Sequence, residues 1–214
     1  GVAYGGRWTV GRERIVAGDG TGDHAVAPAS TVAPSWRPGP GRVLAYADGR
    51  SAIVYDADRG RVVSRTPSIL EPVRKVAWSR DGRLLLVFAP HATRVYRAGK
   101  VVQQDDPSDA TADTDAAFSA GDAAAAIRVA GVSSNVFGLA NGRTYFSGTG
   151  VFDQLTPSPD GNWLLVSWPT ENQWVFVRTR PRKIVGVARI TVGDTVIDAS
   201  VRAQLQSMAN QLRA

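Results

Sequence analysis

The sequence predicts an all-β chain: a β-propeller of four-stranded blades with a C-terminal amphipathic helix. Three observations predict it. A motif returns about every forty residues, a tight-turn signal holds a fixed place in each copy, and an apolar run follows that turn.

The clearest copy is VRKVAWSRDGRLLLVF, Val73 to Phe88. With Trp78 as anchor, Trp36 stands forty-two residues earlier in SWRPGPGRVLAYA. Phe118 stands forty residues later in AFSAGDAAAAIRVA, and Pro157 thirty-nine further in TPSPDGNWLLVSW. A second column trails the anchors by 17 or 18 residues, around Val54, Val95, Val136 and Val175. Each unit therefore reads as a short strand ending at the anchor, a turn in which Gly supplies the positive φ, and an apolar strand. Two more strands follow, joined by a second hairpin, with Asn141-Gly142 as its clearest signal. An unbroken apolar run such as Leu84–Phe88 suits a strand covered on both faces. The aromatic anchor is expected between neighbouring blades. The thin run DAAAAI in the third full copy needs bulky neighbours to pack well.

The ends are less regular. Arg7–Ala17, RWTVGRERIVA, matches the second half of a unit, so a partial unit spans residues 1–30. Full units follow over 31–70, 71–112, 113–150 and 151–190, about five blades in all, and an incomplete ring is the alternative. Residues 191–214 are read as a closing strand and a helix, with Val201, Leu205, Met208 and Leu212 on one face and Asp198 or Ser200 as N-cap.

Composition narrows the function classes. The 214 residues suffice for a sizeable core, and no apolar run approaches a membrane span. The opening GVAYGG is neither a complete signal peptide nor an anchor, and fits the remnant of a trimmed one. With no Cys, thiol catalysis, disulfides and Cys-bound zinc are excluded. The formal net charge of +6 comes from 22 Arg and 3 Lys against 16 Asp and 3 Glu. That Arg bias fits a GC-rich coding sequence, and the basic residues lack interleaved aromatics, so nucleic acid is disfavoured as a partner.

WSRDGRLLLVF and SPDGNWLLVSW resemble the WSPDG-type repeat of TolB-like, WD40-like (PD40-type) propellers, over residues 31–190. The resemblance implies a binding platform, located outside the cytoplasm in the periplasm or cell envelope. The motif specifies a fold and is nearly silent on chemistry.

The repeat sorts loops onto two faces. Hairpin tips between third and fourth strands carry Arg12, Arg14, Arg59, Arg61, Arg97, Lys100, Arg143, Arg178, Arg180, Arg182 and Lys183. They make a basic crescent suited to an anionic lipid surface or an acidic partner. The opposite face is expected to collect the loops Gly18–His24, Ala47–Ser51, Ala89–Thr93, Gln103–Asp115, Ala130–Asn135 and Pro169–Gln173. On it, Arg50, His91, Glu171 and Asn172 occupy equivalent loops and are the predicted partner-binding residues. Gln103–Asp115 reads as a solvated acidic loop without calcium-loop spacing. His24, His91 and Asp19 or Asp23 are too weak a signal to assign a metal, and no cofactor is assigned. Trp163, Trp168 and Trp174 are expected in the core, an aromatic platform being the alternative.

No catalytic constellation emerges. G-x-S-x-G is absent, FSGTGVF lacks the third Gly and helix of a dinucleotide site, and SPDGNW is one residue short of a sialidase Asp-box. The sequence thus points to a non-catalytic scaffold for protein–protein contacts. The alternatives are a propeller-based hydrolase or lyase, and a membrane-docked sensor domain of a larger protein.

Overall fold

The computed structural model describes residues 2–4, 12–28, 30–108, 110–120, 123–179 and 182–189. These form five antiparallel sheets, each with its strands in chain order. Sheet 1 holds β1 (Val2–Tyr4), β2 (Arg12–Val16) and β3 (His24–Pro28). Sheet 2 holds β4 (Ser35–Trp36), β5 (Val43–Asp48), β6 (Ser51–Asp56) and β7 (Arg61–Arg65). Sheet 3 holds β8 (Lys75–Trp78), β9 (Leu84–Ala89), β10 (Ala92–Arg97) and β11 (Lys100–Asp105). Sheet 4 holds β12 (Thr111–Phe118), β13 (Ala124–Ala130), β14 (Ser133–Gly138) and β15 (Thr144–Thr149). Sheet 5 holds β16 (Gln154–Pro157), β17 (Trp163–Trp168), β18 (Gln173–Thr179) and β19 (Arg182–Arg189). The described residues are all-β, in one three-stranded and four four-stranded, blade-like meanders, the four-stranded ones as the repeat predicts. The described residues do not show a closed ring, and the expected closing strand and C-terminal helix lie outside them.

The core is a series of seams, one between each pair of consecutive sheets. The second strand of a sheet faces two neighbours at once, because side chains alternate along a strand. In β9, Leu85, Val87 and Ala89 pack toward sheet 2 with Val43, Ala45 and Val54, while Leu84, Leu86 and Phe88 pack toward sheet 4 with Ala116 and Phe118. In β5, Leu44 and Tyr46 meet Ile15 and Ala27 of sheet 1, and Val43, Ala45 and Ala47 turn the other way. The unbroken apolar run is thus two interleaved faces. Trp78 packs against the seam between sheets 2 and 3, as its anchor position predicts. The thin strand is compensated by its neighbours. Ala124 and Ala126 are fully buried against Leu86, Phe88 and Phe137, and Ala125 is fully buried with Phe152 and Leu155. First strands also meet one another: β4 contacts β8, β8 contacts β12, and β12 contacts β16.

Inside the repeated Ser-x-Asp-Gly turns, the Ser and Asp side chains serve the turn. Ser79 Oγ donates to Asp81 Oδ1 at 2.7 Å and accepts from Leu84 N at 2.9 Å. Ser158 Oγ repeats this with Asp160 Oδ1 at 2.5 Å and Trp163 N at 3.0 Å. Gly82 (φ 69°) needs the left-handed region, and a Cβ there would lie 2.4 Å from the carbonyl oxygen of Pro38 in the preceding sheet. The motif is therefore a packing device as well as a turn.

One correction concerns the first unit. The third–fourth strand pairings in sheets 2 to 5 all carry a register shift, at Val54/Tyr55, Val95/Tyr96, Val136/Phe137 and Phe176/Val177. The β2–β3 pairing carries the same shift at Glu13/Arg14. β2 and β3 are therefore third and fourth strands, and residues 17–23 form the hairpin between them. Arg12 and Arg14 lie on a strand rather than at a tip, and His24 follows the hairpin at the end of the molecule opposite to His91.

The same alignment sets Glu13 where sheets 2, 3 and 4 carry Val54, Val95 and Val136. Glu13 is 7% exposed, and neither carboxylate oxygen has a partner among the described residues. Burial pushes its pKa from 4.5 up to about 7.

Two predictions follow from this packing. Gly82→Ala should lose about 2 kcal/mol or more, since strain and collision combine. Gly20→Ala, with φ 83° and open space around it, should lose about 1 kcal/mol. Urea-unfolding midpoints compare the two. For Glu13, the folded chain keeps a proton that the unfolded chain has released above pH 4.5, so stability falls as pH rises from 4.5 to about 7. The shift allows a loss of at most about 3 kcal/mol. Thermal melts of Glu13→Gln across that window should be flatter than those of wild type.

Candidate functional site

The connections after second and fourth strands share one end of the sheets, the loop face. The β7–β8 and β15–β16 crossovers are laced onto the turn of the sheet they leave. Arg50 sits in the exposed β5–β6 turn, where its carbonyl accepts from Ile69 N and that of Gly49 from Val73 N, both at 2.9 Å. His91 sits in the β9–β10 turn. Glu71 of the preceding crossover takes His91 Nδ1 at 2.6 Å and accepts from its backbone N–H at 3.2 Å. The hydrogen bond from His91 holds the Glu71 carboxyl below its usual range. In sheet 4 the corresponding turn carries Val132, whose carbonyl accepts from Gly150 N at 2.6 Å. Glu171 and Asn172 lie in the β17–β18 turn. A 3-10 segment over Pro169–Glu171 ends there at Asn172, which is left-handed (φ 52°) and donates its N–H to Pro169 O at 3.0 Å.

The four predicted residues thus occupy equivalent turns. Arg50 and His91 are neighbours through the crossover that carries Ile69 and Glu71. No hydrogen bond or ion pair links Glu171 or Asn172 to them among the described residues. Sequence reasoning passed over the apolar members of this face. Leu70 is 79% exposed and Val132 77%, and Val151 stands in the crossover beside Gly150. The missed signal was a large aliphatic residue inside a loop.

The expected acidic loop is largely strand. β11 runs to Asp105 and β12 starts at Thr111, so Asp113 and Asp115 belong to a sheet. Four of these acids have cations. Arg128 bonds Asp105 through Nη2 and Asp113 through Nε at 3.1 Å, and Arg94 Nη2 lies 2.7 Å from Asp106. The Asp113 side chain is wholly buried, and its second oxygen has no partner. Burial pushes its pKa up, Arg128 offsets part of this, and Asp105 adds to it. Asp115 links three first strands. Lys75 Nζ of β8 donates to both its oxygens at 2.8 and 3.0 Å, and Leu155 N of β16 donates to Oδ2 at 2.8 Å. Each partner stands forty residues from Asp115, one repeat away.

At the other end lie the hairpins after first and third strands. Arg59 pairs with Asp56 at 3.0 Å, and Arg61, Arg97, Lys100 and Arg143 are exposed there. Arg178 is no free tip residue: its guanidinium lies over Trp163, 5.6 Å from the ring centroid, and its Nε is buried. Arg180 and the side chains of Arg182 and Lys183 lie outside the described residues. Trp168 is partly buried against the seam between sheets 4 and 5, edge-on to Phe146 and Phe152, and donates its indole N–H to Thr149 O at 2.9 Å. Trp163 and Trp174 are partly buried. On this same end, near the first strands, a cleft of about 600 Å³ opens between sheets 3, 4 and 5. Trp78, Phe118, Pro157 and Pro159 form its apolar walls, with Arg80, Asp81 and Asp160 among its polar groups.

No family model and no curated protein matches this chain. Among the described residues, no three His, Asp or Glu side chains are grouped to hold a metal ion, and no helix is long and apolar enough to cross a membrane.

The Asp115 bridge generates a prediction. Asp115→Ala strands the Lys75 ammonium and the Leu155 N–H, and should cost about 2 kcal/mol or more. Asp115→Asn keeps an acceptor for Leu155 and should cost less. Chemical denaturation of both variants checks the order.

Proposed function

We propose that this chain is a non-catalytic β-propeller scaffold whose loop face binds a protein partner, outside the cytoplasm. One observation carries the reading. Leu70 and Val132, 79% and 77% exposed, stand on the same end as Arg50, His91, Glu171 and Asn172, on loops laced to their sheets. Large apolar side chains displayed on fixed loops, at the same end as charged and amide groups, match the make-up of a protein-binding patch. Pinned backbone also lowers the ordering cost of association.

The resemblance of the WSRDG and SPDG turns to TolB-like, WD40-like propellers supports ring closure, the platform role and the location in the periplasm or cell envelope. The serial seams between four-stranded sheets are compatible with such a ring. Docking of the basic crescent on anionic lipid gains less support, since Arg59 is paired and Arg178 is folded onto Trp163.

The test is affinity capture from envelope and soluble fractions with two baits, the wild-type chain and a variant with Arg50, His91, Glu171 and Asn172 changed to Ala. A partner held by wild type and lost by the variant is expected, and Leu70→Ser with Val132→Ser should lose it as well. Capture by both altered baits at the wild-type level would remove the loop face from the account.

A further inference from the structure

We infer that the cleft between sheets 3, 4 and 5 on the turn face binds a small carboxylate with an apolar body. The site is distinct from the loop face and does not depend on the partner reading. About 600 Å³ suits a small ligand or the last few residues of a peptide. Its walls are the anchor column of the repeat: Trp78, Phe118 and Pro157 come from three successive sheets, with Pro159 beside them. An apolar body would meet aromatic and proline surface on three sides.

The polar groups decide the charge of the ligand. Both carboxylates are already engaged in their own turns. Asp81 Oδ1 accepts from Ser79 Oγ at 2.7 Å and Arg83 N at 2.9 Å, and its Oδ2 lies 3.5 Å from Arg83 Nε. Asp160 Oδ1 accepts from Ser158 Oγ at 2.5 Å and Asn162 N at 3.0 Å, and its Oδ2 accepts from Asn162 Nδ2 at 2.7 Å. The one guanidinium in the lining is nearly unspent. Arg80 reaches across the cleft and makes one long bond, Nη1 to the backbone oxygen of Asp160 at 3.4 Å. It has no ion-pair partner among the described residues. The capacity left open in the cleft is thus the Arg80 guanidinium fork. A fork of parallel N–H donors is the complement of a carboxylate.

Two sources offer that chemistry: a free aryl or alkyl carboxylic acid, and the C-terminal carboxylate of an apolar peptide. Isothermal titration of the purified chain with phenylacetate, with an N-acetylated apolar tripeptide acid and with the same tripeptide as its amide separates them. At least one acid should bind and the amide should not. Arg80→Gln should weaken that binding by about tenfold or more, and Arg80→Lys by less, because charge survives without the fork. Phenylacetate binding alone identifies the free acid, and tighter binding of the peptide acid identifies the chain terminus. Arg80 is exposed, so its variants should keep the wild-type melting temperature. Failure of both acids to bind, equal binding of the amide, or unchanged binding in Arg80→Gln would overturn the inference. None of these outcomes bears on capture by the loop face.

Discussion

The whole arrangement depends on one constraint: the second strand of each of sheets 2, 3 and 4 is covered on both faces, so its odd and even residues must both be largely apolar. β9 meets it with Leu84 to Ala89, all buried, and β5 with Val43 to Ala47. No sheet can bury its own faces, so each seam belongs to two sheets at once. Dispersion and water exclusion across these seams hold neighbouring sheets together, and their close packing leaves little room for relative sliding. Where one strand is thin, at Ala124–Ala126, the partners across the seam are Phe and Leu, so the seam and not the strand conserves volume.

Rigid seams give the two ends of the sheets their character. At the loop end, the β7–β8 and β15–β16 crossovers leave their sheets across the turn just formed and bond to it, so those turns are held from outside as well as from their own strands. Residues from different sheets then keep fixed positions relative to one another, which a binding face requires. At the turn end, the Ser-x-Asp-Gly units spend their Ser and Asp side chains internally and bring anchor side chains together around a cleft. Two buried acids stand apart from this economy. Glu13 takes a position that other sheets give to valine, and Asp113 shares Arg128 with Asp105. Both lie at junctions between sheets, and burial raises both. A proton retained on either removes charge from a seam, so acid conditions favour these two junctions.

Most of the fold was legible because the seams impose a period. The anchors Trp36, Trp78, Phe118 and Pro157, the Gly turns after them and the valine column around Val54, Val95 and Val136 each answer to a place in the repeat. The equivalence of the turns bearing Arg50, His91, Glu171 and Asn172 was legible for the same reason. Three features were not. The first unit was framed half a hairpin out of register, because RWTVGRERIVA and the segment after it both alternate like strands, and the shift at Glu13/Arg14 shows itself only in pairing. The acidic stretch read as solvated loop because its cations, Lys75, Arg94 and Arg128, lie far along the chain on other strands. Arg178 read as a tip because sequence does not reveal that Trp163, across the register, offers it a ring. Pairing across strands, and not composition, decided each case.

Native-state hydrogen exchange tests the seam account most directly. The account predicts that amides of β5, β9, β13 and β17 are the slowest to exchange and do so as one set, while β7 and β11, whose side chains are mostly exposed, exchange fastest. Second strands that exchange sheet by sheet at unrelated rates, or no slower than β7 and β11, would contradict it.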